Sequence, residues 1–422
     1  MITTLSTEQT AALEAIQGWH RDAIRGRAKQ VFRLFGPAGT GKTTIARHVP
    51  EMLRKGWEQS SFGDPDILYA AYTGKAAHVL RKKGCDGAGT IHSLIYTPTK
   101  INHSDVIDEL RRMVACGEAE PKDRRKLAEL EKEHGKLVFR INDGSPLAGA
   151  WLLIVDEVSM VGYGLAQDLL SFGVPILVLG DPEQLPPIHG EGFLTEGHEP
   201  DVLLQEIHRQ ALDSPVLQLA HRVRTSNRRD KGVTDYDAPA IAELAAYDQV
   251  LCGMNKTRWH LIQMIRDHLG LPRGVPSPGD RIICLNNNKA LGCFNGQQYV
   301  VIASLNPTVI DTYELLLLDP DTNQSQQFTV YASGFKSMDS RDNGSTGLIA
   351  KMTFAQAVTV HKAQGSEWGN VLVVDESGKH EWLAKKDGKS EADAQRHGRR
   401  WLYTAITRAA QSVTLAKASS YL

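Results

Sequence analysis

The sequence of 422 residues predicts an α/β protein with two parallel-sheet units. Three observations support this class. The apolar run 31–35 leads into a glycine-rich loop and a helix, the run 150–155 ends in two adjacent carboxylates, and strand–helix alternation begins again near residue 249. Such alternation is typical of parallel sheets, because parallel strands need a crossover connection. The length also exceeds what one hydrophobic core normally organises.

The composition excludes several classes of protein. Apolar residues make up 41% and charged residues 23%, which is ordinary for a soluble globular protein. No apolar run approaches the roughly 18 residues of a membrane span, and the N-terminus lacks a signal-peptide pattern. The five scattered cysteines predict a reducing, cytoplasmic setting with neither a disulfide framework nor a zinc site. The net charge of −1 gives no global support for nucleic-acid binding, so such binding would need a local groove.

Residues 36–43 read G-P-A-G-T-G-K-T, which fits the phosphate-loop pattern G-x-x-x-x-G-K-[ST]. In this pattern the backbone curls so that its N–H groups face phosphate oxygens, and the start of the following helix favours negative charge. Lys42 would reach the β- and γ-phosphates, and the Thr43 hydroxyl would bind Mg²⁺. A plain glycine-rich turn is the alternative, but it leaves the Lys–Thr pair unexplained. The loop residues predicted to bind nucleotide are Gly36, Pro37, Ala38, Gly39, Thr40, Gly41, Lys42, Thr43 and Thr44.

Helices are predicted on both sides of the phosphate-loop strand. The first begins after Ser6, which is a plausible N-cap, and Gln9 would complete a capping box. The alternative role for Gln9 is adenine recognition through its amide, although the motif alone favours the cap. The second helix is predicted over 44–55, with Pro50 as a kink or an early stop.

Polar residues follow two further strand ends in the first unit. The strand 67–72 leads into Thr73, Gly74 and Lys75, and a second turn carries Thr90 and His92. The carboxyl ends of parallel strands are where α/β proteins place ligand contacts. A lone histidine is more often structural than functional, and this applies to His92.

Residues 94–147 differ in character and are predicted to be an insertion. Val106 and Leu110 keep helical spacing in a charged segment, and Pro121 opens a second helix rich in Lys, Arg and Glu. A short strand is predicted over 136–141. The charge run is more typical of a solvated face than of a binding site.

The apolar run 150–155 leads into Asp156 and Glu157. After a phosphate loop, the first carboxylate is expected to reach Mg²⁺ through water and the second to polarise the attacking water. The next strand, 175–180, precedes Gln184, whose amide could sense the γ-phosphate. Arg209 carries a guanidinium that no core obviously needs. The first domain is predicted to end just beyond Pro187.

A second α/β unit follows a stretch, 213–239, that is predicted to be loop-rich. It comprises a strand at 249–253, a helix at 256–269, a turn followed by a strand within 276–285, and strands at 354–360 and 371–374. Between them, period-two runs from 298 to 331 predict a small antiparallel barrel or hairpin module that ends near 348. Residues 376–399 are charged and predicted to be exposed. The run 401–409 is compatible with a helix that brings Arg408 to one end.

These motifs, taken in order, resemble those of superfamily 1 helicases, in the 5′-to-3′ branch that includes RecD-like enzymes and the phage Dda helicase. The resemblance covers nearly the whole chain. Besides the phosphate loop, its motifs are T-G-K-A-A from Thr73, T-I-H-S from Thr90, V-D-E-V-S-M from Val155, G-D-P-E-Q-L-P-P from Gly180, I-H-R-Q from Ile207, G-D-R-I-I to F-N-G between Gly279 and Gly296, T-V-H-K-A-Q-G-S-E from Thr359 and Y-T-A-I-T-R-A from Tyr403.

The resemblance implies two RecA-like motor domains that close on ATP and Mg²⁺. Gln9 then looks like the adenine-reading glutamine, which reverses the preference for a cap alone. The implied catalytic residues are Lys42, Asp156, Glu157, Gln184 and the arginine fingers Arg209 and Arg408, with Thr43 and Asp156 at the metal. Gln364, Gly365 and Glu367 match the stretch that couples nucleotide to DNA. The residues implied to line the single-strand groove are Thr73, Gly74, Lys75, Thr90, His92, His361 and Ser366.

The resemblance also implies a domain plan and partners. The first motor domain would comprise 1–93 and 148–190, the second 191–295 and 349–422, with a pin region at 94–147 and an SH3-like barrel at 296–348. Tyr96 and Phe139 are the aromatic residues of the pin region that could form a wedge. The implied partners are single-stranded DNA, its junctions with duplex DNA, and replication or recombination proteins. The protein is expected to be a monomer and not to associate with membranes. The alternative is a DNA-binding motor or accessory subunit that does not unwind alone.

Overall fold

Two parallel sheets, one antiparallel sheet and a two-stranded ribbon organise the residues that the computed structural model describes. Those residues are 5–55, 66–134, 137–187, 190–206, 214–225, 236–288, 290–307, 309–338 and 347–421. The strands are β1 Val31–Phe35, β2 Ile67–Ala71, β3 Gly89–Thr90, β4 Tyr96–Lys100, β5 Leu137–Ile141, β6 Leu152–Asp156, β7 Ile176–Gly180, β8 Val202–Leu203, β9 Gln249–Cys252, β10 Arg281–Cys284, β11 Gln298–Leu305, β12 Thr312–Asp319, β13 Gln324–Tyr331, β14 Met352–Phe354, β15 Ala357–Thr359, β16 Trp368–Asp375 and β17 Ala409–Lys417. The helices are α1 Thr7–Ala23, α2 Lys42–Lys55, α3 Gly74–Lys82, α4 Ile91–Ile95, α5 Ser104–Ala115, α6 Pro121–Glu133, α7 Tyr163–Leu170, α8 Pro215–Thr225, α9 Ile241–Leu244, α10 Asn255–His268, α11 Ser333–Lys336, α12 Val360–Ala363, α13 Ser377–Lys386 and α14 Glu391–Ile406. No described helix is long and apolar enough to cross a membrane.

The first parallel sheet has six strands in the order β3-β2-β6-β7-β1-β8. Successive residues of β6 enter opposite cores: Leu153 and Val155 belong to one apolar cluster, and Leu152 and Ile154 to the other. A strand covered on both faces reads as a continuous apolar run, which is why the sequence predicted it. β7 lies between β1 and β6, so the turn after β7 lies between the phosphate loop and Asp156.

Helix α2 corrects the prediction for Pro50. The helix runs through the proline to Lys55 rather than stopping there. Pro50 has no N–H to donate to the carbonyl of Ala46, four residues earlier, and that carbonyl instead accepts a hydrogen bond of 3.2 Å from the Tyr69 hydroxyl. A side chain from β2 therefore satisfies the acceptor that the proline leaves open.

The second parallel sheet has four strands in the order β15-β9-β16-β17. The strand predicted at 354–360 divides between two sheets. Its first part, β14, pairs antiparallel with β10, and its second part, β15, pairs parallel with β9. Gln249 holds the break between them, because its Nε2 donates to the carbonyl oxygens of Ala355 and Gln356 at 3.0 and 3.3 Å.

One further prediction in this unit was wrong, and another was wrong for the packed faces of two helices. Residues 215–225, predicted to lie in a loop-rich stretch, form α8, whose Val216, Ala220 and Val223 pack in the core of the second sheet. Residues 376–399, predicted to be exposed, form α13 and much of α14. Glu376 is buried there because the N–H groups of Gly253 and Met254 donate to its carboxylate at 2.8 and 2.9 Å.

The antiparallel sheet has the strand order β13-β12-β11-β10-β14. It contains the three strands predicted between 298 and 331, together with β10 and β14 on either side of that segment. Ala350, just before β14, exchanges backbone hydrogen bonds with the far edge strand: its N–H donates to Thr329 at 2.8 Å, and its carbonyl accepts from Tyr331 at 3.2 Å. The two edges of the sheet are therefore linked.

The inserted region contains an antiparallel ribbon, β4–β5, with α5 and α6 between its strands. β4 was not predicted, because Pro98 and threonines give it no apolar alternation. α6 buries none of its residues, which confirms the prediction of a solvated charged face. Phe139, opposite Pro98, is 62% exposed.

Candidate functional site

The phosphate loop has the curled backbone that its sequence predicts. Gly39 and Gly41 adopt positive φ angles of 84° and 78°, a region in which glycine carries no steric penalty. The Lys42 ammonium crosses the loop and donates to the carbonyl oxygens of Gly36 and Pro37 at 2.6 and 2.8 Å. Because α2 begins at Lys42, Thr43 lies in its first turn, where N–H groups are left for an anion.

Thr43 and Asp156 meet at the predicted metal position. The Thr43 hydroxyl donates to Asp156 Oδ2 at 3.2 Å, and Asp156 Oδ1 accepts from the Glu157 N–H at 2.8 Å. A hydroxyl beside a carboxylate is an all-oxygen donor set of the kind that Mg²⁺ prefers. The residues therefore fit the predicted ion.

Glu157 lies at a strained point directly after β6. Its φ of 54° is left-handed, which is uncommon for a residue with a side chain. Burial raises the pKa of its carboxyl, and the Arg408 charge lowers that pKa in turn. A carboxylate with a raised pKa is suited to act as a base, and Arg408 keeps it closer to its usual range.

Gln184 is the third predicted residue from the first sheet. It is buried, and its Oε1 has no hydrogen-bond partner in the part of the chain that the structure describes. An unpaired buried acceptor is costly unless something else satisfies it. It lies in the turn after β7, between the loop after β1 and the carboxylates after β6. This position is compatible with contact to a water or phosphate.

Helix α14 brings the second unit to the phosphate loop. The Ala38 N–H donates to the Tyr403 hydroxyl at 3.1 Å, and that hydroxyl donates to Asp181 Oδ2 at 2.5 Å. The Leu185 N–H donates to Thr404 Oγ1 at 2.9 Å. Arg408 is buried just beyond the end of the helix, where its guanidinium donates to the carbonyl oxygens of Thr404 and Ser366. Arg209, the other predicted arginine finger, lies outside the described residues.

The turn 364–367 lies on the same seam. Gln364 is buried and donates from Nε2 to the Leu185 carbonyl at 3.1 Å. Gly365 has a φ of 76°, and a Cβ placed on it would lie 2.9 Å from the Cβ of Ala76 and 3.0 Å from the Oγ1 of Thr73. Glu367 is exposed. The turn therefore reaches a nucleotide-side residue at one end and the predicted DNA-binding Thr73 at its centre.

Gln9 makes contacts that suit both of its predicted roles. Its Oε1 accepts from the Ser6 N–H at 3.1 Å, which confirms the capping box. Its Nε2 donates to the carbonyl of Thr40, in the phosphate loop, at 3.2 Å. Adenine recognition stays a prediction, but the cap holds the amide beside the loop.

Five of the seven residues predicted to bind DNA lie at the ends of two neighbouring strands at one edge of the first sheet. β2 and β3 are parallel neighbours, and Thr73 and Thr90 follow their ends as the N-caps of α3 and α4. His92 is exposed on α4 between Tyr72 and Tyr96, with ring centroids 6.2 and 5.6 Å away. From the second unit come Ser366, which is buried, and His361, whose ring lies 5.8 Å from that of His380.

Lys75 already has a partner in the structure. Its ammonium forms an ion pair with Asp321, in the turn between β12 and β13, and Lys82 lies 3.5 Å from the same carboxylate. Next to it, a Cβ on Gly74 would lie 2.8 Å from the Cβ of Phe294. The antiparallel sheet and its loop therefore cover the start of α3.

Several residues at this site had no role predicted from the sequence. Tyr403 and Asp181 stand inside recognisable motifs, but nothing in the sequence pairs them. His221 and Arg224 were missed because α8 was expected to be a loop. With Tyr403, they line a small cavity beside Pro37 and Ala38.

Comparison with known proteins agrees with this architecture. A family model described as an AAA domain matches residues 4–246. The chain is 27% identical over 436 residues to the ATP-dependent RecD2 DNA helicase of Deinococcus radiodurans, a match that covers 96% of this chain and 48% of that protein. It is 29% identical over 210 residues to the ATP-dependent DNA helicase dda of Enterobacteria phage T4, covering 47% of this chain and 39% of that protein. The chain thus spans about half the length of these curated relatives or less. The matches confirm the predicted resemblance to RecD-like and Dda helicases.

Solved structures give the same fold at low identity. The Pif1 helicase from Candida albicans is 16% identical with a TM-score of 0.53, covering 100% of this chain and 97% of that one. Bacteroides Pif1 bound to ssDNA is 18% identical with a TM-score of 0.52, covering 100% of this chain and 94% of that one. At such identities the likeness supports the fold alone, namely two RecA-like parallel-sheet domains.

Proposed function

We propose that this chain, which belongs to the AAA domain family, is an ATP-driven DNA helicase that moves 5′ to 3′ along single-stranded DNA and separates duplexes. Two curated relatives, RecD2 and dda, are named ATP-dependent DNA helicases. The solved structure of Bacteroides Pif1 holds single-stranded DNA. ATP and Mg²⁺ are the proposed cofactors.

One observation carries the proposal: the seam between the two parallel-sheet units joins the nucleotide residues to the polymer residues. Gln364 bonds to Leu185, one residue after the candidate sensor Gln184, while Gly365 packs on Thr73 and Ala76. A movement at the nucleotide end of the seam would therefore be passed through this turn to the surface proposed to hold DNA. A simple phosphotransferase has no use for this connection.

Each side chain has a proposed task in this cleft. The loop 36–44 would hold the phosphates, Lys42 would neutralise them, and Thr43 and Asp156 would hold the metal. Bound Mg-ATP supplies the phosphoryl group whose hydrolysis drives the cycle. Glu157 would take the proton of the attacking water, and Gln184 would orient that water. Arg408, with Arg209 as the second finger, would stabilise negative charge from the second unit.

The same side of the molecule would hold the strand. We propose Thr73, Gly74, Lys75, Thr90 and His92 on the first unit and His361 and Ser366 on the second as DNA contacts. Thr73 and Thr90 are the N-caps of α3 and α4, so their hydroxyl groups are held at the ends of β2 and β3 beside the proposed strand. Tyr72, His92, Tyr96 and Phe139 form a row of rings with centroids about 6 Å apart, on which bases could stack.

The two insertions have proposed roles as well. We propose the region 94–147 as the strand-separating pin, because Phe139 is exposed on its two-stranded ribbon. Tyr96, where the ribbon begins, anchors it to the first unit by a hydrogen bond to Asp168. We propose 296–348 as an SH3-like barrel, supported by the link from Ala350 to β13. The motor domains would be 1–93 with 148–190, and 191–295 with 349–422. β10 and β14, from the second motor segments, extend the barrel sheet.

The test is an unwinding assay on 5′-tailed and 3′-tailed duplexes, with and without ATP. Duplex separation from the 5′ tail only, dependent on ATP, is the expected result. Lys42→Ala should abolish DNA-stimulated ATP hydrolysis, whereas Lys55→Ala, at the far end of the same helix, should preserve it. Unwinding from a 3′ tail alone would contradict the proposed direction.

Hydrolysis that DNA stimulates without strand separation would favour the alternative, a motor or accessory subunit that remodels protein–DNA complexes. Hydrolysis that polynucleotides do not stimulate would remove both. Action as a monomer, and with replication or recombination proteins, is part of the proposal. Sedimentation of the protein with tailed duplex tests the first of these points.

A further inference from the structure

Tyr403 makes the two hydrogen bonds that tie α14 to the nucleotide cleft. Its hydroxyl accepts from the Ala38 N–H at 3.1 Å and donates to Asp181 Oδ2 at 2.5 Å. Both partners lie in loops of the first parallel-sheet unit. Ala38 is 365 residues from Tyr403 in sequence, and Asp181 is 222 residues away. Ala38 lies within the phosphate loop, and Asp181 directly follows β7.

The hydroxyl is the part of Tyr403 that packing alone does not explain. The residue is 2% exposed and lies in an apolar cluster with Trp401 and Leu402, where a phenylalanine ring would fill nearly the same space. Burial and the neighbouring Asp181 carboxylate raise the pKa of Tyr403 well above its usual value, so the group remains a phenol. As a phenol it donates one hydrogen bond and accepts another, and these two bonds use both capacities.

Asp181 depends on this bond. It is 2% exposed, and its other carboxylate oxygen accepts from the Glu183 N–H at 3.0 Å. A buried carboxylate is costly without hydrogen-bond donors, and the phenol is the donor that comes from the second unit. The Asp181 carbonyl in turn accepts from the Gln184 N–H at 3.0 Å. The turn that carries Gln184 is therefore held partly from α14.

We propose that Tyr403 is a positioning residue for ATP hydrolysis: through Ala38 and Asp181 it fixes the phosphate loop and the Gln184 turn when the second unit docks. This inference rests on the proposed ATPase function and adds a residue to it. Tyr403 touches no reacting atom itself. Arg408 follows Tyr403 just beyond the end of α14. Docking of α14 on the first unit would therefore place the arginine and order the phosphate loop and the Gln184 turn together.

The experiment compares Tyr403→Phe with Tyr236→Phe in the full chain. The control removes an equivalent hydrogen bond, from the Tyr236 hydroxyl to Asp375 Oδ2 at 2.6 Å, within the second unit. Both variants should retain the melting temperature of the parent within a few degrees. We expect Tyr403→Phe to lower the kcat of ATP hydrolysis about 10-fold or more with little change in the KM for ATP, and Tyr236→Phe to leave both unchanged.

Asp181→Asn provides a second variant that keeps the shape of the site. It should lower kcat by a similar factor, and the double variant with Tyr403→Phe should be no slower than the slower single variant, because both changes break one linkage. Additive losses, or an unchanged kcat in folded Tyr403→Phe protein, would overturn the inference. Loss of fold in Tyr403→Phe with normal kinetics in Asp181→Asn would also overturn it, since Tyr403 would then be structural.

Hydrolysis is measured with and without single-stranded DNA, so that the two proposals can be told apart. A parent protein that hydrolyses ATP without stimulation by DNA contradicts the helicase function, while the kcat of Tyr403→Phe is still read on the basal reaction. DNA stimulation in the parent together with an unchanged kcat in Tyr403→Phe keeps the helicase function and removes the role of Tyr403.

Discussion

The Thr43 hydroxyl donates a 3.2 Å hydrogen bond to the Asp156 carboxylate across 113 residues of sequence. Thr43 stands in the first turn of α2, the helix that follows β1, and Asp156 ends β6. β7 lies between β1 and β6, so the turn that carries Gln184 lies between the two.

This pair predicts how the protein depends on Mg²⁺. Thr43→Val should raise the Mg²⁺ concentration for half-maximal ATP hydrolysis about 10-fold to 100-fold, because it removes a hydroxyl that binds or orients the ion. Thr43→Ser keeps the hydroxyl and should resemble the parent. The measurement is the initial rate at saturating ATP over a Mg²⁺ titration. Equal Mg²⁺ dependence in the two variants would argue against a metal site at this pair.

Arg408 should set the pH dependence of hydrolysis through Glu157. Burial raises the pKa of Glu157 and the Arg408 charge lowers it, so Arg408→Gln should raise it further. A general base works only when it is ionised, and activity would therefore be lost at a higher pH as the solution is acidified. The residual kcat is followed from about pH 9 to about pH 5. Arg396→Gln, which breaks an ion pair with Glu183, is the matched control and should keep the parent profile.

Asp321 should compete with DNA for Lys75. Replacing it by Asn frees the ammonium groups of Lys75 and Lys82 to bind phosphates. Single-stranded DNA should then bind several-fold more tightly at low salt, and the slope of log affinity against log salt should steepen by about 0.7 for each additional phosphate that the protein neutralises. Fluorescence anisotropy over a salt series measures both quantities.

Asp311→Asn supplies the control for this experiment, because Asp311 is exposed in the turn that precedes β12 of the same antiparallel sheet. Weaker DNA binding by Asp321→Asn, with Asp311→Asn unchanged, would mean that the ion pair holds the antiparallel sheet in place over the strand. In that case Asp321 would not be a competitor of phosphate.

Three buried histidines that lie side by side in the fold should lower the free energy of unfolding in mild acid. The rings of His361, His380 and His397 are 5.8 and 6.1 Å apart, and His380 stacks on Trp401 at 5.3 Å. Burial is the main cause that lowers the pKa of each to about 4. The unfolded chain takes up these protons near its ordinary pKa and the folded chain does not, so stability present above about pH 6.5 is lost progressively down to about pH 4.

The test uses His380→Phe, which keeps a ring on Trp401 but cannot be protonated. A pKa lowered to about 4 corresponds to about 3 kcal/mol over that pH range for this buried residue. The melting temperature of the variant should therefore fall less between pH 7 and pH 5 than that of the parent. His268→Gln, at an exposed position, should show the parent slope. Parallel slopes for His380→Phe and the parent would count against the assignment.

Tyr69 and Pro50 should be coupled in stability. Tyr69→Phe removes the donor to the Ala46 carbonyl and should cost about 1 kcal/mol or more in the free energy of unfolding. Pro50→Ala returns an N–H to that carbonyl, so Tyr69→Phe should cost less in its background. Denaturant unfolding of the four proteins gives the coupling energy. Additive effects would show that the two residues satisfy different groups.

The site could be predicted wherever the chemistry is local in sequence. The phosphate loop and the carboxylates at 156–157 follow apolar strands directly, and the strands were found because both faces are buried. Contacts between the units could not be found in this way. No pattern links Ala38 to Tyr403, 365 residues later.

The errors in the fold have physical causes too. In α8, the polar side chains of His221, Arg222 and Arg224 stand between the members of an apolar stripe of only a few residues. The run 354–360 was predicted as one strand, yet buried hydrogen bonds from Gln249 to Ala355 and Gln356 divide it between two sheets. Tertiary contacts decided both outcomes, and propensity carries no information about them.

The contact of Gly365 with Ala76 has a mechanical meaning. Gly365 has no side chain to interlock with Ala76, so this contact between the two units can separate and form again without a rotamer change. The other end is latched by the hydrogen bonds of Tyr403, Thr404 and Gln364. Directional hydrogen bonds therefore hold the nucleotide end of the seam, whereas the start of α3 on the DNA side is held by the ion pair of Lys75 with Asp321, which salt can weaken.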